Sequence, residues 1–278
     1  PNIMPTTNKK PTVAFFGATG GCAANTLALA LKAGYTATAL ARTPSKLRKL
    51  LEEIHGVASA TIDAQLTLIE GNVKDIAAVK QAFVHSNRIV DTILFGVGSA
   101  PKFQPSITSP ITLQDKTVCE DGMKTIVAAL HSLQSDGVSF GAEKPVVICI
   151  STTGLSKTRD VPLALYAIYH YALSVPHADK KRMEERVIEA AVSQPTSSRV
   201  VGDFVVVRPT LLVDGAMKGL ESVRVGWEAP EGSSAVGEKA PGPQLGYTVS
   251  RADVGNFIFQ EVIQGGKKWC GKCVTLTY

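Results

Sequence analysis

Short apolar runs alternate along the chain with longer segments in which apolar residues recur at helical spacing. Some runs, such as Val205-Val206-Val207, are almost continuously apolar, which is typical of strands covered on both faces. The strands predicted from these runs span residues 12–16, 36–41, 66–70, 92–95, 146–150, 204–208 and 274–278. The helices predicted between them span residues 22–32, 45–54, 76–83, 118–132, 180–193 and 252–264. This alternation predicts an α/β fold with a doubly wound parallel sheet.

Two segments interrupt this pattern. Residues 96–117 are rich in Pro, Ser and Gly, and residues 226–246 are rich in Gly and Pro. Because ligands bind beyond the carboxyl ends of the strands in open α/β sheets, we expect both segments to border the site. The second is expected to form a lid or, alternatively, a mobile insertion. We expect one domain over residues 1–278 with a small C-terminal substrate-binding part, its substrate-binding elements lying mainly in 96–117, 154–177 and 209–249.

The chain has 278 residues, of which 45% are hydrophobic and 19% are charged. A chain of this length buries about 75% of the surface that it exposes when unfolded, so it needs no disulfide bonds to be stable. No apolar run approaches the ~20 residues that span a bilayer, and no signal sequence is apparent, which predicts a cytoplasmic protein without a membrane partner. The net charge of +5 comes from scattered basic residues, which fits an anionic small ligand better than a nucleic acid.

The sequence contains five cysteines, an odd number, and only Cys270 and Cys273 lie close together. A disulfide framework needs a denser, even set, so reduced thiols are predicted. The CxxC pair is open to a redox role or to half of a zinc site. Because no second Cys/His pair has the required spacing, structural cysteines are the favoured interpretation and no metal is predicted.

The strongest chemical signal is the segment GATGGCA at residues 17–23, which follows a predicted strand and begins a predicted helix. In this context Gly17 permits the tight turn, Gly20 lets the backbone approach a diphosphate, and Ala23 is small enough to pack helix against strand. The helix amino terminus offers unpaired N–H groups to the phosphates. The pattern predicts a Rossmann-like dinucleotide site, with contacts from Gly17, Thr19, Gly20, Gly21 and Cys22.

The end of the second strand indicates which dinucleotide binds. NAD sites usually carry an acidic residue there, whereas this chain continues as Arg42-Thr43-Pro44-Ser45-Lys46. The Arg42 guanidinium can bind a 2′-phosphate with two hydrogen bonds, and Thr43, Ser45 and Lys46 can add contacts. NADP(H) is therefore predicted over NAD(H). The alternative interpretation of Arg42, taken by itself, is an arginine that is solvated at the surface and binds no ligand. Further contacts are expected after the third and fourth strands, from Asn72, Val73, Gly96, Val97 and Gly98.

Several motifs in this order resemble the atypical short-chain dehydrogenases/reductases, in their NmrA-like branch. They are GATGGCA at 17–23, ARTPSKL at 41–47, GNVKD at 71–75, ISTTG at 150–154, VVRPTLLVDG at 206–215 and SRADV at 250–254. The resemblance covers nearly the whole chain. It implies a Rossmann-like fold and NADP(H), and it leaves the activity open, because the branch contains reductases as well as non-catalytic NADP sensors.

The chain departs from that group at its catalytic residues. Typical members use a serine and a YxxxK pair. The resemblance assigns the serine to Ser151 and the lysine to Lys180 or, alternatively, Lys181, and it adds Thr152 and Pro209 to the cofactor contacts. Neither lysine has a tyrosine four residues earlier, because Pro176 and His177 occupy those positions. The upstream tyrosines are Tyr166, Tyr169 and Tyr171, of which Tyr169 is the candidate for the site, with aromatic packing as the alternative.

The missing tyrosine has a chemical consequence. Ketone reduction produces an alkoxide that needs a proton donor, whereas reduction of an iminium ion produces a neutral amine. A carboxylate would stabilise that cation, and Asp160 is the candidate, with a turn or helix-capping role before Pro162 as the alternative. The predicted catalytic residues are thus Asp160, Lys180, Tyr169 and Ser151. Lesser candidates for polar roles are Lys124, His131, His170 and His177.

The same features resemble fungal alkaloid reductases that reduce an iminium ion with NADPH and steer an intramolecular Diels–Alder cyclisation. The leading hypothesis is an NADPH-dependent oxidoreductase of specialised metabolism that reduces C=N or C=O in a bulky, apolar, nitrogen-containing substrate, with cyclisation as a second step. The alternatives are a non-catalytic NADP sensor and a plain carbonyl reductase. The oligomeric state, a homo-oligomer included, is left open.

Overall fold

A computed structural model describes residues 10–103, 111–164, 173–193 and 195–278 of the chain. An eight-stranded sheet forms its centre, in the spatial order β7-β8-β6-β5-β4-β1-β2-β3. Every neighbouring pair is parallel except β7, which runs antiparallel to β8 along one edge. The strands are β1 (Val13–Phe16), β2 (Ala37–Ala41), β3 (Leu66–Glu70), β4 (Thr92–Phe95), β5 (Val146–Ile150), β6 (Asp203–Pro209), β7 (Arg224–Glu228) and β8 (Lys272–Thr277).

Helices connect the strands and cover the sheet. They are α1 (Gly21–Lys32), α2 (Pro44–Lys49), α3 (Ser59–Gln65), α4 (Ile76–Phe83), α5 (Val118–Ser135), α6 (Ser174–Val192) and α7 (Arg251–Phe257). Helix α2 continues as a π-helical turn over Leu50–Ile54, and α7 continues in the same way over Ile258–Ile263. Within the described ranges, no helix combines the length and apolar character needed to cross a bilayer.

Two hydrophobic cores explain the continuously apolar strands. All four residues of β1 are buried, with Phe15 in the core beneath α1 and α7 and Phe16 in the core beneath α4, α5 and α6. Successive side chains of a strand point to opposite faces, so a strand covered on both sides needs apolar residues throughout. The α/β fold with a doubly wound, Rossmann-like parallel sheet is therefore confirmed.

Strand β7, helix α3 and the start of α6 were not predicted. Arg224–Glu228 lacks an apolar run and has Gly226 at its centre, where an added Cβ would lie 2.3 Å from the carbonyl oxygen of Gly242. Glycine inside a strand marks such a close backbone approach, and it hides the strand from a pattern of apolar residues. Helix α6 begins at Ser174, six residues earlier than predicted, because Pro176 lies in the first turn, where proline is tolerated.

The turn after β1 meets the end of β4 where the order of the strands reverses. Gly17 has φ +77°, and a Cβ on this residue would lie 2.6 Å from the carbonyl carbon of Gly96. The polypeptide therefore leaves β1 directly beside the end of β4. This position, outside the carboxyl ends of the strands at the switch point, is where open α/β sheets bind ligands.

A buried ion-pair network joins β6, α6 and β7. The guanidinium of Arg208, 4% exposed, donates to both carboxylate oxygens of Glu184 at 3.0 and 2.6 Å and to Glu228 at 2.5 Å. Burial by itself would lower the pKa of Arg208, but the two carboxylates outweigh it and raise that pKa. A compensated buried charge of this kind is costly to break from one side only.

Replacing Gly17 with Ala should destabilise the protein by more than about 2 kcal/mol, because a left-handed residue with a side chain costs ~1–2 kcal/mol and its Cβ also meets Gly96. Gly98→Ala is the matched control, since a Cβ at Gly98 has no heavy atom within 4 Å. Urea unfolding followed by circular dichroism measures both changes. Equal stability of the two variants would contradict the close approach of β1 and β4.

Replacing Arg208 with Met should lower the free energy of unfolding by about 3–5 kcal/mol, because the Glu184 carboxylate stays buried without its partner. Arg186→Met serves as the control. It removes an ion pair with Glu189, whose side chains are 45% and 68% exposed, and a longer contact of 3.7 Å with Glu120. Because Glu120 keeps Lys124 and Arg182 as partners, the change should cost less than about 1 kcal/mol. The double variant Arg208→Met/Glu184→Met should recover much of the loss in the same urea titration. A cost for Arg208→Met no larger than for the control would argue against the buried network.

Candidate functional site

A cavity with a volume of ≈ 660 Å³ opens beyond the carboxyl ends of β1, β2, β4 and β5. Its size falls within the range of small-molecule and cofactor sites. The structure brings together in its wall most of the predicted cofactor contacts: Gly17, Thr19, Gly20, Gly21, Cys22, Arg42, Asn72, Val73, Gly96, Val97, Gly98, Ser151 and Lys180. The predicted contacts that do not line it are Thr43, Ser45, Lys46, Thr152 and Pro209.

The phosphate loop leaves the first turn of α1 open. Gly20 is the N-cap of α1 in an extended conformation, and its own N–H donates to the Gly17 carbonyl at 2.9 Å. Gly20 has no side chain that could accept a hydrogen bond from the amide groups of the first turn of α1. These groups therefore have no side-chain cap at the N-cap position. Small residues and open amide groups at the start of a helix are the features that a dinucleotide diphosphate requires, so the loop fits this cofactor.

The end of β2 carries a cation and no carboxylate. Arg42 is exposed, lines the cavity and has no hydrogen bond or ion pair with any other described residue. The first acidic residue after β2 is Glu52, in the π-helical turn that follows α2. This arrangement fits a 2′-phosphate better than a free ribose diol.

Beyond the end of β3, the loop that lines the cavity is joined to the segment before α5. The side-chain oxygen of Asn72 accepts from the N–H of Lys74 at 3.0 Å, which leaves its amide nitrogen available. The Lys74 ammonium pairs with Asp115 at 2.8 Å and with Asp121 at 2.9 Å. Gln114 and Asp115 line the cavity, so the predicted segment 96–117 contributes to the wall at both of its ends.

Lys180 is fixed between the ends of two strands. Its ammonium donates to the carbonyl oxygens of Val97 at 3.0 Å and Ile150 at 2.7 Å. The preceding residue, Asp179, is fully buried and accepts from the first backbone N–H groups of α5 at 3.0 and 2.9 Å. Lys180 lines the cavity, whereas Lys181 is exposed outside it, so the structure distinguishes the two lysines that the sequence left open.

Ser151 supplies a free hydroxyl to the wall. The residue is 5% exposed, and its Oγ has no hydrogen-bond partner, while its N–H donates to the Val207 carbonyl at 2.7 Å. A buried polar atom without a partner is rare and calls for an explanation, and a bound ligand provides one. Thr153 Oγ1 is also buried without a partner, but Thr153 does not line the cavity.

Asp160 lies away from the cavity wall, in contrast to the sequence prediction of a substrate-facing carboxylate. It is 3% exposed, and its Oδ2 accepts from the N–H of Gly154 at 2.9 Å, the N–H of Ser156 at 3.4 Å and the hydroxyl of Ser156 at 2.7 Å. The Ser156 hydroxyl also accepts from Arg208 at 3.1 Å. The carboxylate thus organises the loop after β5, which corresponds to the turn-stabilising alternative.

The remaining candidates that the structure describes do not line the cavity. Tyr166, Tyr169, His170 and Tyr171 lie outside the described residues. Lys124, His131 and His177 do not line the cavity, and Lys124 pairs with Glu120 at 2.8 Å.

The segment 226–246 also lies elsewhere than expected. Its first residues belong to β7, and the N–H of Trp227 donates to the Gly242 carbonyl at 3.0 Å. The segment therefore packs against the edge of the sheet, and none of its residues lines the cavity. Of the described residues in the predicted elements 154–177 and 209–249, only Leu212 lines it.

All five cysteines are buried and unpaired. Burial raises the pKa of Cys22 and of Cys273 to about 12 and that of Cys270 to about 11. Thiols with such pKa values are poor nucleophiles near neutral pH, so the CxxC pair has a structural environment rather than a redox-active one. Among the described residues, no group of three or more His, Cys, Asp or Glu is arranged to hold a metal ion.

The sequence placed Leu212 only within the predicted substrate-binding element 209–249, and it gave no site role to Arg251; both residues line the cavity. Leu212 belongs to a short strand pair, Leu211–Val213 with Thr248–Ser250, and Arg251 is the first residue of α7. Both lie in segments that carried the family resemblance, VVRPTLLVDG and SRADV. That shared location was the available signal.

Comparisons with known proteins agree with this geometry. A sequence model described as NAD(P)H-binding matches residues 17–264. The chain is 41% identical over 280 residues to reductase pytE from Aspergillus terreus, with 98% of this chain and 99% of the relative covered. It is 33% identical over 297 residues to oxidase pynE from Aspergillus niger, with 96% and 99% covered.

Among solved structures, the fold is similar to yeast methylglyoxal/isovaleraldehyde reductase Gre2 complexed with NADPH. The TM-score is 0.58 at 15% identity, covering 94% of this chain and 76% of that one. The predicted cofactor, NADP(H), is confirmed at the level of the NAD(P)H-binding family. The chain belongs to this NAD(P)H-binding family and is an oxidoreductase of the atypical, NmrA-like short-chain dehydrogenase/reductase type.

Proposed function

We propose that the protein is an NADPH-dependent reductase of fungal specialised metabolism that acts on a C=N or C=O bond in a bulky, mostly apolar substrate. The observation that carries the proposal is the free, buried hydroxyl of Ser151, beside the fixed Lys180, in a cavity that also holds a phosphate loop. The reductive direction is supported by the similarity to reductase pytE. The assignment to specialised metabolism rests on the resemblance to fungal alkaloid reductases.

The residues of the wall fit the parts of the cofactor in order. Arg42 would hold the 2′-phosphate, the loop at 17–23 the diphosphate, and Lys180 and Ser151 the nicotinamide end. When bound, NADPH supplies a hydride to an electrophilic carbon. Lys180 keeps the ends of β4 and β5 together, and the Ser151 hydroxyl donates to a carbonyl oxygen of the substrate or accepts from an iminium N–H.

The composition of the wall favours a C=N bond. The described lining residues include no tyrosine or histidine, and their one carboxylate, Asp115, pairs with Lys74. A carbonyl substrate would need a proton donor for the alkoxide, and Tyr169 remains the candidate for that role. An iminium substrate needs no acid, because its product is a neutral amine. Asp160 enters the proposal as a positioning residue that orders the loop after β5.

A non-catalytic NADP sensor is the second candidate. It is favoured by the same lack of a tyrosine among the described lining residues and by the commitment of the Lys180 ammonium to two backbone carbonyls. A sensor would bind NADPH and would not oxidise it, whichever substrate is added. The two functions therefore differ in turnover and not in cofactor affinity.

Replacing Arg42 with Ala should weaken NADPH binding by about 10–100-fold, because a charge-assisted contact to the 2′-phosphate contributes about 1.5–3 kcal/mol. Affinity for NADH should stay nearly unchanged. The matched control is Arg48→Ala, since Arg48 pairs with Glu52 and Asp63 and does not line the cavity. Isothermal titration calorimetry measures the affinities of the wild type and both variants for NADPH and NADH. Equal losses for NADPH and NADH would remove Arg42 from the 2′-phosphate site.

Stopped-flow loss of NADPH absorbance should show turnover of a cyclic iminium substrate. Ser151→Ala should lower the turnover of a carbonyl substrate by about 10²-fold or more, because it removes a donor to the developing oxyanion. It should lower the turnover of an iminium substrate by less than about 10-fold, because no oxyanion forms there. Thr152→Ala, next to Ser151 but outside the wall, is the control. Tight NADPH binding without oxidation across imine and carbonyl panels would favour the sensor.

Tyr169→Phe distinguishes the two reductase chemistries, because it should abolish turnover only if the tyrosine is the proton donor for a carbonyl.

Chromatography of the reduced product with and without the enzyme tests for cyclisation, which changes retention and leaves the mass unchanged.

A further inference from the structure

Arg251 lies beside the phosphate loop. Its aliphatic stem packs on Gly21 so closely that a Cβ on that glycine would lie 2.5 Å from the Arg251 Cδ. Arg251 lines the cavity, and its charge is near enough to oppose the burial effect on the pKa of Cys22. The guanidinium is therefore close to the first turn of α1, where the phosphate loop begins the helix.

The present partner of Arg251 holds it weakly. Its Nη1 pairs with the Asp214 carboxylate at 2.8 Å, and the side chains are 34% and 91% exposed. Exposed ion pairs contribute little, because water already solvates both charges. A more highly charged ligand in the cavity can therefore replace Asp214 as the partner of Arg251.

The other positive charges that line the cavity do not balance the two negative charges of a diphosphate at the phosphate loop. Its cationic side chains, within the described ranges, are Arg42, Lys180 and Arg251. Lys180 is bound to two backbone carbonyls, and Arg42 follows β2 rather than the phosphate loop. The amino terminus of α1 contributes only about half a positive charge, whereas a diphosphate carries two negative charges.

Asp214 also belongs to the segment that contains the lining residue Leu212. Two residues before it is the lining residue Leu212, and shortly after it the N–H groups of Lys218 and Gly219 donate to Asp253 at 3.0 and 2.9 Å. Arg251 and Asp253, in one turn of α7, thus hold both ends of residues 214–219. Release of Asp214 changes one of these two attachments.

We propose that Arg251 is a diphosphate-binding residue, whose ion pair with Asp214 in the free protein is exchanged for a phosphate oxygen when the dinucleotide binds. The inference rests on the dinucleotide-binding function proposed for this cavity. It assigns Arg251 to a group that NADPH and NADH share, whereas Arg42 is assigned to the 2′-phosphate that only NADPH carries.

The test is calorimetric titration of the full chain with NADPH, NADH and adenosine 2′-monophosphate, which lacks a diphosphate. Arg251→Met should raise the dissociation constants of NADPH and NADH by the same factor, about 10–100-fold, and leave that of adenosine 2′-monophosphate unchanged. Arg251→Lys, which keeps the charge and loses the planar fork, should give a smaller loss and covers the case in which the methionine variant misfolds. Asp214→Asn should bind both dinucleotides equally well or up to about 5-fold more tightly, because the competing carboxylate is gone.

Arg186→Met is the control, since it removes an arginine of similar exposure that lies outside the wall. A loss confined to NADPH would place Arg251 at the 2′-phosphate and overturn the inference. Unchanged affinities in both Arg251 variants would also overturn it, while the proposed function would stand. Wild-type protein that binds neither dinucleotide would overturn the proposed function and the inference together. If the wild-type protein binds NADPH and NADH equally well, equal losses in Arg251→Met would support the inference about Arg251. They would overturn only the choice of NADP(H) as the cofactor.

Discussion

The close packing of β1, α1 and β4 is the constraint on which the site depends. The turn at Gly17 passes within van der Waals distance of the Gly96 backbone, and a Cβ on Gly96 would lie 3.0 Å from that of Ala23. Larger side chains would push the three elements apart and fill the space in which the cavity begins. The same absence of side chains leaves the amide groups of the first turn of α1 open, so packing and phosphate binding have one cause.

Helix α6 connects this constraint to the chemistry. Within six residues it carries Asp179, which holds the start of α5, Lys180, which joins the ends of β4 and β5, and Glu184, which pairs with the buried Arg208. The interactions are buried or partly buried and each uses a charged group, so a shift of the helix would leave several charges without partners. The position of Lys180 in the wall is thus a consequence of charge compensation in the core.

Asp160 and Ser151 show that burial alone does not identify the side chain that can bind a substrate. Both side chains are at least nine-tenths buried and both follow β5. The Asp160 carboxylate is satisfied by Gly154 and Ser156 of its own loop, whereas the Ser151 hydroxyl has no partner and lines the cavity. The unsatisfied group is the one with hydrogen-bonding capacity left for a substrate.

The local pattern of residues determined the strands β1 to β6 and β8, the phosphate loop and the cation after β2, because these features depend on neighbours in the chain. Only the tertiary structure decided which of Lys180 and Lys181 reaches the cavity, that Asp160 holds its own loop, and that Arg251 packs on Gly21. It also placed β7, which pairs through a glycine that no apolar pattern reveals, at the edge of the sheet. These contacts join residues 4 to 230 positions apart, and their energies come from burial and pairing that exist only after the chain has folded.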